Sequence, residues 1–204
     1  AHQNISKADA LDIALEKLKK VHIPSPEKRL QQYPHECSGG MRQRIVIAIA
    51  LLTNPGLIIA DEPTTALDVT IQAEIMDLLL ELCASEKMGL ILITHDLGVV
   101  SQITEKIVVM YAGKIVEHAH TVELFRAPRH PYTRGLLRSL PSQRNRGRRL
   151  PTIPGIVPDL RSLPPGCRFQ DRCERVTDAC RSEEPELRHV FETDVACFHA
   201  EEVA

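Results

Sequence analysis

The sequence predicts an α/β fold in which helices cover a parallel sheet, and three observations support this prediction. Residues 57–60 are apolar and run into two adjacent carboxylates and a proline, the pattern of a buried strand that ends in a polar site. Residues 90–93 repeat this pattern and are followed by Thr-His-Asp. Between these runs, residues 71–84 place apolar side chains at helical spacing. We therefore expect two strands whose carboxyl ends lie at the same edge of the sheet.

The composition is that of an ordinary soluble chain and argues against several classes of function. The 204 residues are 43% hydrophobic and 25% charged, with a formal net charge of −2. This charge gives no general attraction to nucleic acid, and the absence of tryptophan argues against a stacking platform for single strands. No apolar run is long enough to cross a bilayer, and residues 1–4 do not resemble a signal peptide.

The first helix is predicted to begin after Ser6, because Ser6-Lys7-Ala8-Asp9 fits a capping box. Pro24 and Pro26 break the segment that follows. The pattern between these points is typical of an amphipathic surface helix. Its apolar face contains Leu11, Ala14, Leu15, Leu18 and Val21.

A second helix is predicted behind Ser38, Gly39 and Gly40, with Ser38 as its N-cap. Two glycines weaken a helix, so they are expected where the backbone must approach a ligand closely. Because the free N–H groups of a helix start bind anions, this corner is a candidate phosphate site. A plain capped helix start is the alternative. The predicted buried face of the helix contains Met41, Ile45, Ala48, Ile49 and Leu52.

Asp61 and Glu62 follow the first strand, at the end of an α/β sheet where ligands bind. Adjacent strand residues point to opposite sides, so Asp61 can help to hold a metal while Glu62 faces a water molecule. His95 follows the second strand at the same edge, where a neutral imidazole can bond a phosphate oxygen and position the water. A capped loop is the alternative for the carboxylates, and a non-catalytic histidine is the alternative for His95.

Capping residues also predict the helices that flank the second strand. Asp68 or Thr70 can cap the helix over 71–84, and Asp96 can cap a helix over 97–103. The predicted buried face of the first of these helices contains Ile71, Ile75, Leu78, Leu79 and Leu82.

The composition changes in the second half of the chain. Residues 107–110 and 114–116 are predicted to form a hairpin, and a short helix is predicted after His130. Residues 126–149 contain eight arginines and no acidic residue. A solvated connector is one interpretation of this segment, and a patch near lipid headgroups or a partner chain is the other.

Four of the six cysteines lie near the C-terminal end in the pattern C-x5-C-x6-C-x16-C. In a chain without an export signal, such thiols indicate metal or redox chemistry before disulfides. Their short spacings suit one metal centre with four thiolates, and a metal would staple a segment too small and polar to form its own core. Zinc prefers paired C-x2-4-C spacings, which are absent. The four cysteines are Cys167, Cys173, Cys180 and Cys197.

Four motifs occur in the order and at the spacing that resemble the ABC ATPase family. Residues 38–43 resemble the C-loop, 57–62 the Walker B strand, 64–68 the D-loop, and His95 the switch histidine. This resemblance implies the α/β fold of a P-loop NTPase-like ABC ATPase domain, present in part as a parallel sheet with helices. A small Cys-rich C-terminal appendage is expected to follow it. The resemblance also implies that the first helix belongs to a helical subdomain that meets a membrane partner.

The resemblance implies a role for each matched residue. Asp61 is expected to bind Mg²⁺ through water, Glu62 to be the general base, and His95 to hold the γ-phosphate of ATP. The Ser38–Gly40 corner is expected to contact the γ-phosphate held by the opposite subunit. Asp68 is expected to couple the two sites across the interface.

The sequence contains no G-x-x-x-x-G-K-[ST] motif, the Walker A loop that this family carries upstream of the matched region. We therefore expect the chain to be the C-terminal portion of a longer protein. Its expected organisation is a partial helical subdomain with the C-loop, a catalytic core, a basic connector and a Cys-rich domain of the oligopeptide-importer type. The boundaries of these four segments are 1–56, 57–118, 119–150 and 151–204.

Met41 and residues 126–140 resemble the oligopeptide and dipeptide importer branch of the family. The same cysteine pattern occurs in that branch, where it is associated with a [4Fe–4S] cluster. The resemblance therefore implies this cluster as the first choice, zinc as the second and free thiols as the third.

The implied function is ATP hydrolysis that powers the import of di- or oligopeptides across the bacterial inner membrane. The implied partners are a homologous ATP-binding subunit in a head-to-tail dimer, two membrane permease subunits and, indirectly, a periplasmic or lipoprotein peptide-binding protein. The expected location is peripheral, on the cytoplasmic face of the membrane, with no nucleic acid partner. A soluble ABC ATPase without a transport role and a non-enzymatic iron–sulfur module are the alternatives.

Overall fold

The computed structural model describes residues 5–65, 67–140 and 150–202, which form two compact units. The units comprise residues 1–95 and 96–204. Residue 66 of the predicted D-loop and residues 141–149 of the predicted connector lie outside the described residues. The expected division into four segments stays a prediction. None of the helices in the described residues is both long and apolar enough to span a membrane.

The first unit combines helices with a two-stranded parallel sheet. Its elements are α1 (Lys7–Lys20), α2 (Pro26–Arg29), α3 (Gly39–Leu51), β1 (Leu57–Asp61), α4 (Val69–Glu86) and β2 (Gly89–Ile93). As predicted, Ser6 caps α1 and Asp68 caps α4, because their side chains accept backbone N–H groups at 3.1 and 3.0 Å. The parallel pairing of β1 with β2 confirms the predicted arrangement of the two strands.

The sheet of the first unit is packed on one face only. Along β1, Ile58 and Ala60 are buried, whereas Leu57 is exposed and Ile59 is 62% exposed. The expectation of a fully buried strand is therefore wrong in this structure. The physical reason is that successive strand side chains point to opposite faces, and the described elements cover one of them.

Helix α3 buries a different face from the one predicted. Ala48 is buried as expected, but Ile49 is 60% exposed and Leu52 is also exposed. Ile47 and Leu51 are buried instead. From Ile45 onward the helix is apolar on all sides, so periodicity cannot select a face, and packing against α1 and α4 decides it. In α4 the prediction is confirmed for Ile75, Leu78, Leu79 and Leu82.

The second unit is built around an antiparallel sheet. Its elements are α5 (Leu97–Ile103), β3 (Lys106–Tyr111), β4 (Lys114–His120), α6 (Thr121–Arg126), α7 (Pro131–Arg138), α8 (Asp178–Ser182), β5 (Arg188–Val190) and β6 (Thr193–Val195). The predicted cap at Asp96, the hairpin of β3 and β4, and the helix after His130 are all confirmed. Ala112 and Gly113 form the hairpin turn with positive φ angles of 46° and 80°.

The structure does not show the Cys-rich segment as a separate appendage. Strand β6 pairs with β4, so the sheet has the order β3-β4-β6-β5. Phe169 is buried in the same core as Val109, Tyr111 and Leu124. Within the segment itself a small cluster is buried, formed by Val190, Val195, Cys197 and Ala200, so the segment also depends on packing against the hairpin.

A buried carboxylate ties β4 to the loop that leads into α7. Glu117 is 0% exposed and accepts the backbone N–H groups of Arg129 at 2.6 Å and His130 at 3.0 Å. Burial raises the pKa of Glu117, although the hydroxyl of Thr133 and these N–H groups act in the opposite direction. Burial also lowers the pKa of His130 to about 4, so its ring is neutral and its Nδ1 accepts the N–H of Tyr132 at 3.0 Å.

Candidate functional site

The register of the two parallel strands brings the predicted catalytic residues to one edge. Asp61, the last residue of β1, is paired with Ile93, the last residue of β2. The ladder continues by one bond, because the N–H of Glu62 donates to the carbonyl of Ile93 at 2.8 Å. His95 lies two residues beyond Ile93. The predicted meeting of Glu62 and His95 at the carboxyl ends of the strands is therefore present in the structure.

Glu62 and His95 are in direct contact. Oε1 of Glu62 lies 3.0 Å from Nδ1 of His95, and Oε2 accepts the hydroxyl of Thr65 at 2.9 Å. The Thr65 hydroxyl and the neighbouring His95 lower the pKa of Glu62 below its ordinary value, so the carboxylate is ionised at neutral pH. An ionised carboxylate is only an acceptor, so a hydrogen bond between these two side chains needs a proton on Nδ1 of His95. The His95 side chain is 81% exposed, which leaves the pair accessible.

The backbone at Glu62 is strained. Its φ angle is 46°, in the left-handed region that costs a non-glycine residue about 1–2 kcal/mol. Pro63 follows directly and restricts the chain further. Backbone strain of this kind clusters at functional sites, where the surrounding structure holds a side chain in a required position. Here it accompanies the contact between the Glu62 carboxylate and His95.

Thr65 is a site residue to which sequence analysis assigned no role. Its hydroxyl is the first cause of the lowered pKa of Glu62. The sequence signal was available, because a hydroxyl residue three positions after a carboxylate in a turn can reach back to it. The preceding proline favours such a turn, and the N–H of Thr65 also donates to the carbonyl of Glu62 at 3.2 Å.

The Ser38–Gly40 corner forms the capped start of α3. The N–H of Met41 donates to the Ser38 hydroxyl at 3.3 Å, which confirms the predicted N-cap. Packing also favours a glycine at position 40, in addition to the predicted approach of a ligand. A Cβ there would lie 2.7 Å from Cγ2 of Ile71. At Gly39 the corresponding nearest atom is the end of the Leu67 side chain at 3.2 Å. The glycines therefore let α3 approach the start of α4.

Asp68 has a structural contact of its own, as the N-cap of α4. Its Oδ1 accepts the N–H of Ile71, the same residue against which Gly40 packs. The starts of α3 and α4 thus lie together in the first unit. The predicted C-loop and the predicted D-loop are therefore neighbours in the first unit.

The four C-terminal cysteines share one neighbourhood in the second unit. The N–H of Cys167 donates to the carbonyl of Cys180 at 2.8 Å. Burial first, and neighbouring thiols second, raise the pKa of Cys167, Cys173 and Cys197. Backbone N–H groups two residues further on contact the sulfurs of Cys173 and Cys197, each at 3.4 Å. Gly166 makes the approach possible, because a Cβ there would lie 2.5 Å from the carbonyl oxygen of Cys180.

This neighbourhood is not arranged as a ready metal site. Within the described ranges, no group of three or more His, Cys, Asp or Glu side chains is placed to hold a metal ion. All six cysteines are free thiols. Burial raises the pKa of Cys167 and Cys173, and raises that of Cys197 to about 11, so these groups are protonated at neutral pH. As arranged here, the described residues therefore form no site for the expected [4Fe–4S] cluster.

Two family models match different parts of the chain. The model described as "ABC transporter" matches residues 1–65, which contain the Ser38 corner and the carboxylates. The model described as "Oligopeptide/dipeptide transporter, C-terminal region" matches residues 116–180. The two matches lie in the order expected from the motifs.

Solved structures of ABC proteins share the fold. The dimeric ATP-binding cassette MJ0796, in a post-hydrolysis state bound to ADP and phosphate, is 31% identical with a TM-score of 0.51. That match covers 59% of this chain and 51% of the other. CbiO1 from Clostridium perfringens, part of the cbiONQ ABC transporter complex, is 28% identical with a TM-score of 0.53 and covers 61% and 49%. These matches confirm the ABC ATPase fold.

Curated relatives are more similar in sequence than these solved structures. The dipeptide transport ATP-binding protein DppD of Haemophilus influenzae is 52% identical over 96% of this chain and 59% of its own length. DppD of Escherichia coli is 52% identical over 91% of this chain and 57% of its own length. The chain thus spans less than two thirds of the length of the curated relatives it matches. Together, the motifs, the fold and these matches show that the chain belongs to the ABC transporter ATP-binding proteins, in the oligopeptide/dipeptide transporter branch.

Proposed function

We propose that this chain provides part of the catalytic machinery of an ATP-hydrolysing subunit that powers the import of di- or oligopeptides. The contact between Glu62 and His95 at the carboxyl ends of β1 and β2 carries this proposal. An ionised carboxylate held beside an accessible imidazole is the arrangement that water activation next to a phosphoryl group requires.

The proposed chemistry divides among the residues at the strand ends. Glu62 accepts the proton of the attacking water, because its carboxylate is ionised at neutral pH. His95 holds the γ-phosphate through Nε2, the ring nitrogen that does not face Glu62, which donates to a phosphate oxygen when the ring carries both protons as imidazolium. Thr65 keeps the carboxylate oriented.

The other matched residues hold the metal and the partner's nucleotide. Asp61 is exposed at the end of β1, and its hard carboxylate oxygens are the ligand type that Mg²⁺ takes. Magnesium, when bound, offsets the charge that develops on the transferred phosphoryl group. The Ser38–Gly40 corner contacts the nucleotide of the opposite subunit, and Asp68 couples the two sites.

The phosphate-cradling loop comes from residues other than these 204, because the sequence lacks the motif. The exposed apolar face of the first unit supports this part of the proposal. Leu57, Ile59, Ile91 and Ile93 of the sheet are all exposed large apolar residues, and contiguous apolar surface marks an interaction site. We propose that further elements of the same subunit pack on this face.

The proposed assembly is a head-to-tail pair with a homologous ATP-binding subunit, bound to two membrane permease subunits at the cytoplasmic face of the inner membrane. A periplasmic or lipoprotein peptide-binding protein contributes indirectly. The match of residues 116–180 to the oligopeptide/dipeptide transporter region and the DppD relatives support the peptide cargo. Retention of the subunit on permease-containing membranes distinguishes this assembly from a soluble ABC ATPase without a transport role.

We also propose a [4Fe–4S] cluster on the four C-terminal cysteines, with zinc as the second choice. Two observations support it: the thiols share one neighbourhood, and backbone N–H groups contact the sulfurs of Cys173 and Cys197, as occurs around iron–sulfur clusters. Holding a cluster requires the four side chains to move closer together than they are in this structure.

The test of the ATPase proposal is Glu62→Gln in the complete ATP-binding subunit, with Glu81→Gln as a matched control on the exposed side of α4. Loss of a general base slows turnover by about 10²–10⁴-fold while nucleotide binding persists. Phosphate release and nucleotide affinity are measured for both variants. Turnover of Glu62→Gln at the rate of Glu81→Gln would assign the base to another residue. The 204 residues alone serve as the baseline and are expected to show no turnover.

A further inference from the structure

The second unit contains a cavity of about 270 Å³ whose lining is strongly basic. Four arginines, Arg134, Arg138, Arg172 and Arg175, line it together with a single acidic residue, Glu174. The titratable side chains of the lining therefore carry a formal excess of three positive charges. Such an excess inside a concave surface focuses the electrostatic field and attracts anions.

The fold builds this cavity from two walls. Arg134 and Arg138 lie four residues apart on α7 and so share one face of the helix. Gly135 lets residues 151–154 pass close to that helix, because a Cβ there would lie 2.7 Å from Cγ1 of Ile153. Arg172 fixes the same segment by donating to the carbonyls of Pro154 at 2.8 Å and Ile153 at 3.1 Å. The walls are thus positioned by specific contacts.

Among the described residues, ion pairs do not offset the charges of this arginine cavity. Over residues 5–65, 67–140 and 150–202, none of its four arginines forms an ion pair, whereas Arg126, Arg161, Arg168 and Arg188 each do. The partners of Arg172 are neutral carbonyl groups and the Tyr111 hydroxyl.

Arg175 provides an independent observation, a buried hydrogen-bond donor whose acceptor is missing among the described residues. Its Nη1 is buried and has no hydrogen-bond partner among the described residues. A buried donor without a partner is costly, and a bound anion would remove that cost if the Arg175 side chain turned toward the cavity. The main chain of Arg175 is fixed at the same time, because its N–H contacts the sulfur of Cys173 at 3.4 Å.

We propose that the arginine cavity binds a phosphoryl group, presented either by a soluble phosphate compound or by an anionic phospholipid headgroup. The guanidinium fork matches phosphate oxygens in pairs, and an excess of three positive charges favours a multiply charged anion over a single carboxylate. The volume lies just below the range of about 300–1,000 Å³ for pockets that take drug-sized ligands, so it suits a small headgroup or a diphosphate. All these residues belong to the second unit, whereas the proposed catalytic residues belong to the first.

Inorganic pyrophosphate is the probe for the soluble form. It is titrated calorimetrically into the 204-residue chain, into Arg134→Gln/Arg138→Gln and into Arg175→Gln. Arg161→Gln is the matched control, since Arg161 is exposed and paired with Asp159 at 2.8 Å outside the cavity. Each cavity variant is expected to bind at least about ten-fold more weakly than the control, because guanidinium bonds to phosphate are lost. Circular dichroism verifies that each variant is folded, and the double variant on α7 keeps the test valid if Arg175→Gln unfolds.

A second titration locates the ligand. Pyrophosphate binding that survives Ser38→Arg supports the cavity, whereas loss of binding in that variant places the anion at the start of α3 and overturns the proposal.

A third measurement identifies the source of the phosphoryl group. Flotation with vesicles of phosphatidylglycerol, against phosphatidylcholine vesicles, distinguishes a lipid headgroup from a soluble ligand. Binding of either probe that depends on the cavity arginines supports the proposal. Binding of neither probe, or equal binding by the cavity variants and Arg161→Gln, refutes it.

Discussion

Replacing Glu117 by glutamine is expected to loosen the second unit. The carboxylate of Glu117 is fully buried and accepts two backbone N–H groups, from Arg129 at 2.6 Å and from His130 at 3.0 Å. Glutamine has nearly the same shape but keeps only one acceptor oxygen. One of the two backbone N–H groups must then face the amide NH₂, which is a donor. That N–H group is left buried without a hydrogen-bond acceptor.

The expected cost follows from these contacts. A hydrogen bond to a charged group contributes about 1.5–3 kcal/mol, and the burial that raises the pKa of Glu117 offsets part of it, because removing the charge also removes its desolvation. The net loss in the free energy of unfolding is expected to be about 1–3 kcal/mol at pH 7. Glu105→Gln is the control, because that side chain is exposed, and a surface change of this kind stays within about 0.5 kcal/mol.

Urea unfolding followed by tyrosine fluorescence measures this loss. The chain has no tryptophan, and two of its three tyrosines, Tyr111 and Tyr132, pack together with Phe169 in the second unit. The fluorescence therefore reports mainly on the unit that contains Glu117. A Glu117→Gln variant as stable as Glu105→Gln would refute the anchoring role of the carboxylate.

The pH dependence gives the same experiment a second readout. The pKa of Glu117 is higher in the folded than in the unfolded protein, so protonation of this carboxyl stabilises the fold. This stabilisation is fully present below the unfolded pKa near 4.5 and is lost as the pH rises through the folded pKa. Glutamine lacks this contribution. The stability gap between the wild type and Glu117→Gln is therefore expected to be wider at pH 4 than at pH 7. A gap that narrows toward low pH would contradict the direction of the shift.

Two further predictions concern the helix start and the cysteines. Gly40→Ala is expected to lower the free energy of unfolding of the first unit by about 1–3 kcal/mol in thermal or urea unfolding, because the added Cβ would overlap Ile71. Gly39→Ala is expected to lower it by less, because its Cβ would meet only the end of the Leu67 side chain. Equal losses of stability in the two variants would contradict the packing argument. Anaerobically purified protein is expected to be brown with about four irons per chain, and to lose the colour in Cys180→Ser but not in Cys83→Ser. Stoichiometric zinc from iron-replete cells would replace the cluster with a structural zinc site.

The sequence by itself determined the local elements of this protein. The N-caps at Ser6, Ser38, Asp68 and Asp96 are all confirmed, because a side chain that accepts a backbone N–H three residues later acts within a single turn. The parallel pairing of β1 and β2 was also predictable, since an apolar run that ends in polar residues is typical of such strands.

Tertiary structure decided which faces are buried. Helix α3 is apolar around its circumference, so its sequence is compatible with several buried faces, and contacts with α1 and α4 selected the one with Ile47 and Leu51. The exposure of Ile59 likewise depends on what else covers the sheet, which the residues of β1 cannot specify. Periodicity fixes a face only where the opposite face is polar.

The site shows the same division between local and long-range information. Motifs placed Asp61, Glu62 and His95 at strand ends, but only the register of β1 against β2 brought the Glu62 carboxylate within 3.0 Å of the His95 ring. The bond from Thr65 and the left-handed backbone at Glu62 appeared only in three dimensions. The arginine cavity depends on segments about 40 residues apart in the chain, and sequence spacing carries no information about such a meeting because it depends on how the whole unit packs.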